Sequence, residues 1–171
     1  AQNMQDFNRY LTKFGYDTMI VEYKGRGHDH FQDDIHFMFD WMRTHRRNFS
    51  PKTIKCTTMR PWDNFFWWVE LDGMPSTFIT LPLQWPRKAA RDALLEAEIG
   101  INNRIRVKSP AKIITVYLNP DIVDFQENVS LNLSGKTQSE PIVPNLEHML
   151  EDVRTRGDRL NPFWAKVTIS R

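Results

Sequence analysis

The sequence predicts an α+β chain: a helix–strand–helix opening over residues 1–50, then a β-rich, sandwich-like domain over residues 51–171. Three observations predict it. Apolar residues recur at spacings of three and four before residue 50. From Thr53 onward, β-branched and aromatic residues alternate or run together. Turn chemistry (Pro61–Asp63, Asp72–Pro75, Asn132–Lys136) divides that second part into short segments.

In chain order, MQDFNRYLTKFG reads as an amphipathic helix carrying Met4, Phe7, Tyr10, Leu11 and Phe14 on one side, with Gly15 as its stop. DTMIVEY reads as a short buried strand and KGRGHDHF as a loop. DDIHFMFDWMRTHRR reads as a second helix that buries Ile35, Met38, Phe39 and Met42, and whose basic end suits the helix dipole. KTIKCTTMR, NFFWWVELDG and STFITLPLQW follow as strands. In the second of these, alternation puts Phe65, Trp67, Val69 and Leu71 on one face and Phe66, Trp68, Glu70 and Asp72 on the other. RKAARDALLEAEIG reads as a helix or a less regular connection. The stretch RIRVKSPAKIITVYLNPDIVDFQENVSLNLSGK reads as three strands, ending in a hairpin start at NLSGK. NLEHMLEDVRTRGD is a helix with Leu146, Met149, Leu150 and Val153 on one side and Gly157 ending it, and FWAKVTIS closes as a strand with Trp164 in the core.

Composition excludes several classes. With 40% hydrophobic and 26% charged residues, the chain can build a core without staples. Its formal charge of +2 is spread among interleaved acids and bases, unlike a nucleic-acid binder's gathered basic face. No window approaches the roughly 18–20 apolar residues of a membrane span. The polar start AQNMQDFNRYLTKFG does not resemble a secretory signal. The single Cys56 excludes an intramolecular disulfide and a thiolate-rich zinc site.

The loop YKGRGHDHFQDD raises the question of chemistry. His28, His30, Asp33, Asp34 and His36 are residue types that bind zinc or iron. Their spacing matches neither His-x-His-x-Asp-His nor His-Glu-x-x-His, so no metal or other cofactor is expected. The aspartates are explained by a helix N-terminus, which favours negative charge. Two glycines that set a histidine at the C-terminal mouth of a strand are not, because in open α/β sheets that mouth gathers ligands and catalytic groups.

On these residues, the order of an amphipathic helix, GYDTMIVEYKGRGHDHF and a closing helix with Asp40-Trp41 resembles the end of an α/β-hydrolase, in particular the prolyl-oligopeptidase and esterase-like branch. The resemblance covers residues 4–47 and implies one catalytic residue here, His28, as the base that follows serine and aspartate in the chain. Asp29 departs from the small residue more usual after that histidine. The resemblance implies a neutral imidazole that takes the proton of a serine at a Gly-x-Ser-x-Gly elbow. None of Ser50, Ser76, Ser109, Ser130, Ser134, Ser139 and Ser170 has that context, and 27 residues precede His28.

The expectation is therefore the C-terminal part of a serine hydrolase acting on a small ester or peptide. It carries the base without the nucleophile and is inactive without the N-terminal hydrolase portion. It takes no nucleic acid and no membrane as partner, and a truncated sheet edge is expected to draw in a second copy. The β-rich part, with VDFQENVSLNLSGK, MLEDVRTRGDR and NPFWAKV, resembles the extensions that follow hydrolase domains in some environmental bacteria.

The alternative is a non-catalytic module that binds carbohydrate or protein. WDNFFWW would then be a stacking platform, against the reading that its rings fill a core. Arg156-Gly157-Asp158 mimics an adhesion tripeptide, but a helix-ending glycine between charges explains it.

Overall fold

A computed structural model describes residues 2–13, 15–27, 30, 32–81, 83, 91–133 and 135–170. It is an α+β chain that divides into two compact units, Ala1–Arg46 and Arg47–Arg171. Among the described residues there are three α-helices and two sheets, neither closed into a barrel. No helix among them is long and apolar enough to cross a membrane.

The first unit holds α1 (Gln2–Asn8), which runs into a π-turn over Arg9–Lys13, and α2 (Ile35–Arg43), which a 3-10 turn over Gln32–Asp34 introduces. Gly15 takes the left-handed conformation (φ 64°) after the π-turn, as a stop requires. Two expectations fail in this unit. Residues 17–23 form no strand, because a strand needs a neighbouring strand for its backbone N–H and C=O groups and the described residues of the unit supply none. The α2 stripe is not buried either: Ile35, Met38, Phe39 and Met42 are all exposed.

The second unit holds β1 (Thr53–Thr58), β2 (Phe65–Phe66), β3 (Val69–Asp72), β4 (Ala93–Ile99), β5 (Arg104–Lys108), β6 (Ile113–Leu118), β7 (Val129–Leu133), β8 (Lys136–Glu140), α3 (Leu146–Arg156) and β9 (Ala165–Ser170). One sheet has the order β1-β4-β5-β7-β8 and the other β2-β3-β6-β9. All pairs are antiparallel except β5 with β7, since the chain leaves β5 for the other sheet and returns beside it. Alternating residues of both sheets (Ile54, Leu95, Val107 and Leu131 from one; Leu71, Val116, Leu118 and Val167 from the other) share one hydrophobic cluster.

Three elements of this unit depart from expectation. ALLEAEI is strand β4, not helix, because Ala93, Leu95 and Ala97 alternate inward and the two-residue turn Asn102–Asn103 (φ 55° and 52°) folds it back on β5. The aromatic run splits into a hairpin. Trp67 takes φ 55°, Phe65 pairs with Glu70 on the outer face, and Trp68 is fully buried with its indole N–H on the Pro51 carbonyl at 2.9 Å. Ser76–Phe78 is a 3-10 turn rather than the start of a strand; Pro82 and residues 84–90, where that strand would have ended, lie outside the described residues.

Candidate functional site

His28, the one catalytic residue that the sequence nominates, lies outside the described residues, as does Asp29. Gly25 adopts φ 78° in the turn before it, and His30 after it is exposed. Among the described residues, no three His, Cys, Asp or Glu side chains gather as metal ligands.

An imidazole the sequence reading passed over is engaged instead. His45 Nε2 lies 2.5 Å from Asp17 Oδ2, while its Nδ1–H reaches the Trp41 carbonyl at 2.8 Å. The Asp17 hydrogen bond, then the Trp41 carbonyl, raise the His45 pKa. This pair fastens the 16–23 segment to the end of α2.

A hollow lies in the second unit, where α3 flanks the outer face of the β2-β3-β6-β9 sheet. It encloses about 500 Å³ and is lined by Phe65, Glu70, Tyr117, Asp152, Arg156 and Lys166, among others. Strand alternation explains the set: Val116 and Leu118 point inward, so Tyr117 points outward beside its cross-strand neighbour Lys166. Three rings cluster there, with Tyr117 at 5.4 Å from Phe65 and 5.3 Å from Phe163. The Tyr117 hydroxyl donates to Glu70 Oε2 at 2.5 Å; burial, then that carboxylate, push its pKa up.

α3 meets this face through a buried ion pair and through Met149 and Val153, the half-buried part of its apolar stripe. Leu146 and Leu150 are exposed, whereas Asp152 is 9% exposed. Its carboxylate accepts Arg156 Nε at 2.6 Å, Arg156 Nη2, and the Phe163 backbone N–H at 2.9 Å. Arg156 also donates to the Asn161 carbonyl and lies 4.4 Å from the Phe163 ring centroid. That carboxylate raises the Arg156 pKa. The i,i+4 spacing of Asp152 and Arg156 was a signal open to sequence reading.

Arg156-Gly157-Asp158 spends its groups internally. Gly157 ends α3 at φ 70° with its N–H on the Val153 carbonyl. Asp158 accepts the N–H groups of Leu160 and Asn161, which hold its carboxyl below the ordinary range.

A second hollow of about 290 Å³ shares Phe65, Arg156 and Phe163 with the first and adds Trp67, Arg47 and Asn119. Comparison with protein-family models, curated proteins and solved structures finds no match.

Proposed function

We propose that this chain is the C-terminal part of a serine hydrolase of the α/β-hydrolase type, which cleaves ester or peptide bonds with His28 as its base and a nucleophile supplied from outside these residues. The observation that carries this reading is the open apolar surface of the first unit. Phe37 is 71% exposed, and Tyr16, Val21, Met38, Phe39 and Met42 are exposed with it. A water-soluble body seldom leaves such residues together without something to cover them. A hydrolase sheet would take residues 17–23 as its next strand and receive α2 on one face, restoring both the ladder and the burial that the unit lacks. Gly25 and Gly27 would then place His28 at the strand's mouth.

A fluorophosphonate probe tests this reading on the longer polypeptide that it requires. That polypeptide is labelled, its His28→Ala variant is not, and the 171-residue chain alone is not. An unlabelled longer polypeptide overturns the reading. Light scattering on the chain alone addresses the remaining partner, a second copy taking up the open segment.

For the second unit we propose a β-sandwich module that binds rather than reacts. The paired hollows on its outer face favour this, since their combination of rings with a few fixed polar groups is the usual make-up of a ligand site. Loss of ligand binding in Phe65→Ala with retained thermal stability tests it.

A further inference from the structure

The five-stranded sheet ends on β8, and no other described strand occupies its second edge. Residues 136–139 are exposed and Glu140 is half-buried. Such an edge offers a row of backbone N–H and C=O groups to any strand that reaches it. The β7–β8 hairpin decides which groups face out. Leu133 lies opposite Lys136 across a two-residue turn, so Lys136 turns its backbone groups toward β7, and Gln138 and Glu140 do the same. By alternation, Thr137 and Ser139 turn theirs to the open edge.

The chemistry of that edge reads alike from either end. Laid antiparallel against its own copy with Gln138 opposite Gln138, β8 sets Thr137 opposite Ser139 and Lys136 opposite Glu140, each twice over. Opposite charges and facing hydroxyls stabilise an antiparallel pair, whereas like charges destabilise it. The backbone agrees with the side chains. Thr137 and Ser139, which carry the outward N–H and C=O groups, fall opposite each other as hydrogen-bonded pairs. The lysine and glutamate fall at non-hydrogen-bonded positions, where side chains come closest. Their existing contacts survive the pairing. Lys136 Nζ donates to the Ser170 carbonyl at 2.9 Å and has donors to spare, while Glu140 accepts Gln138 Nε2 on Oε1 at 2.6 Å and keeps Oε2.

The other edges lack this match. β1 and β9 each carry one lysine (Lys55, Lys166) and no acid, and β2 is two residues long. A lysine on an edge strand ordinarily keeps other strands away. On β8 the glutamate at the symmetric position removes that protection against a second copy alone.

We propose that β8 is a self-association edge, through which two copies of this chain pair antiparallel about a two-fold axis at Gln138 and join their five-stranded sheets into one. A two-fold contact of this kind uses the same patch on both copies, as the sequence of β8 allows. It is separate from the open 16–23 segment of the first unit.

Cross-linking on a Cys56→Ser background tests the geometry. Across a non-hydrogen-bonded pair the Cα atoms stand about 4.5 Å apart, within disulfide reach. A residue one step off the axis lies about 7–8 Å from its own copy, outside that reach. Under mild oxidation Gln138→Cys should therefore give a linked dimer, and Thr137→Cys and Ser139→Cys should stay largely monomeric. Charge exchange tests the pairing without cysteine. Lys136→Glu and Glu140→Lys each set like charges across the axis, and an equimolar mixture of the two restores both pairs. Sedimentation velocity between about 10 µM and 1 mM should show a concentration-dependent dimer of the unaltered chain. That dimer should be weakened about fivefold or more in each variant and regained in the mixture. A thermal melt of each variant confirms its fold. A chain monomeric across that range, or a dimer unchanged in both folded charge variants, overturns the proposal. So does cross-linking that is absent at Gln138→Cys or equal at all three positions.

Discussion

Asp152→Ala probes the joint that fixes α3 to its sheet. The substitution removes three hydrogen bonds, two from Arg156 and one from the Phe163 N–H. It leaves a guanidinium whose side chain is 23% exposed without its carboxylate, and it strands a buried backbone donor. Removing one partner of a buried pair costs about 3–5 kcal/mol. Arg156 keeps the Asn161 carbonyl and some solvent, so about 3 kcal/mol is expected here, the lower end of that range. For a unit of this size that lowers the melting temperature by roughly 10 °C.

The neighbouring pair is the control. Glu151 and Arg154 meet at 2.6 Å, but their side chains are 57% and 73% exposed, so Glu151→Ala leaves the melt almost unchanged. Urea denaturation followed by tryptophan fluorescence reads both variants. A loss below about 1 kcal/mol for Asp152→Ala would mean that this pair behaves like an ordinary surface ion pair. Burial would then not be what separates the two.

Three further outcomes are expected. Because the folded-state pKa of His45 is raised, its link to Asp17 contributes fully below the unfolded value near 6.5 and is lost as pH rises through the raised value. An NMR titration of the His45 ring should show a midpoint above 6.5 that falls in Asp17→Asn. Partial burial, with a smaller contribution from Asp63, pushes the Cys56 thiol up to about 11, so iodoacetamide at neutral pH should modify it slowly in the native chain and rapidly in urea. Gly157→Ala places a Cβ at φ 70°, and denaturation should show about 1 kcal/mol lost, with α3 fraying at its C-terminal end.

Local chemistry made part of the fold legible in advance. Asn145 and Gly157 bracket α3, and the alternation in KTIKCTT and VSLNL marks β1 and β7. Gly135 closes the β7–β8 hairpin at φ 97°. These succeed because a cap, a turn or a two-residue period needs only neighbours in sequence. ALLEAEI misled because Ala, Leu and Glu favour helices in isolation, whereas pairing β4 on both edges decides its state. The turn residues Asn102–Asn103 were the available contrary signal.

The hollows beside α3 were beyond local reading. Trp67 and Trp68 are adjacent and chemically alike, yet one lines the surface and the other is fully buried, because a left-handed turn between them changes which face each side chain takes. Nothing beside Asp152 in the chain marks it as buried, and only the arrival of the Phe163 N–H from the next segment makes it an anchor. From composition and spacing alone, then, the sequence determined an α+β chain whose β-rich part follows a helical opening. Which polar groups are buried, and which rings stay open to a ligand, was decided by the tertiary structure, because burial depends on elements far apart in the chain.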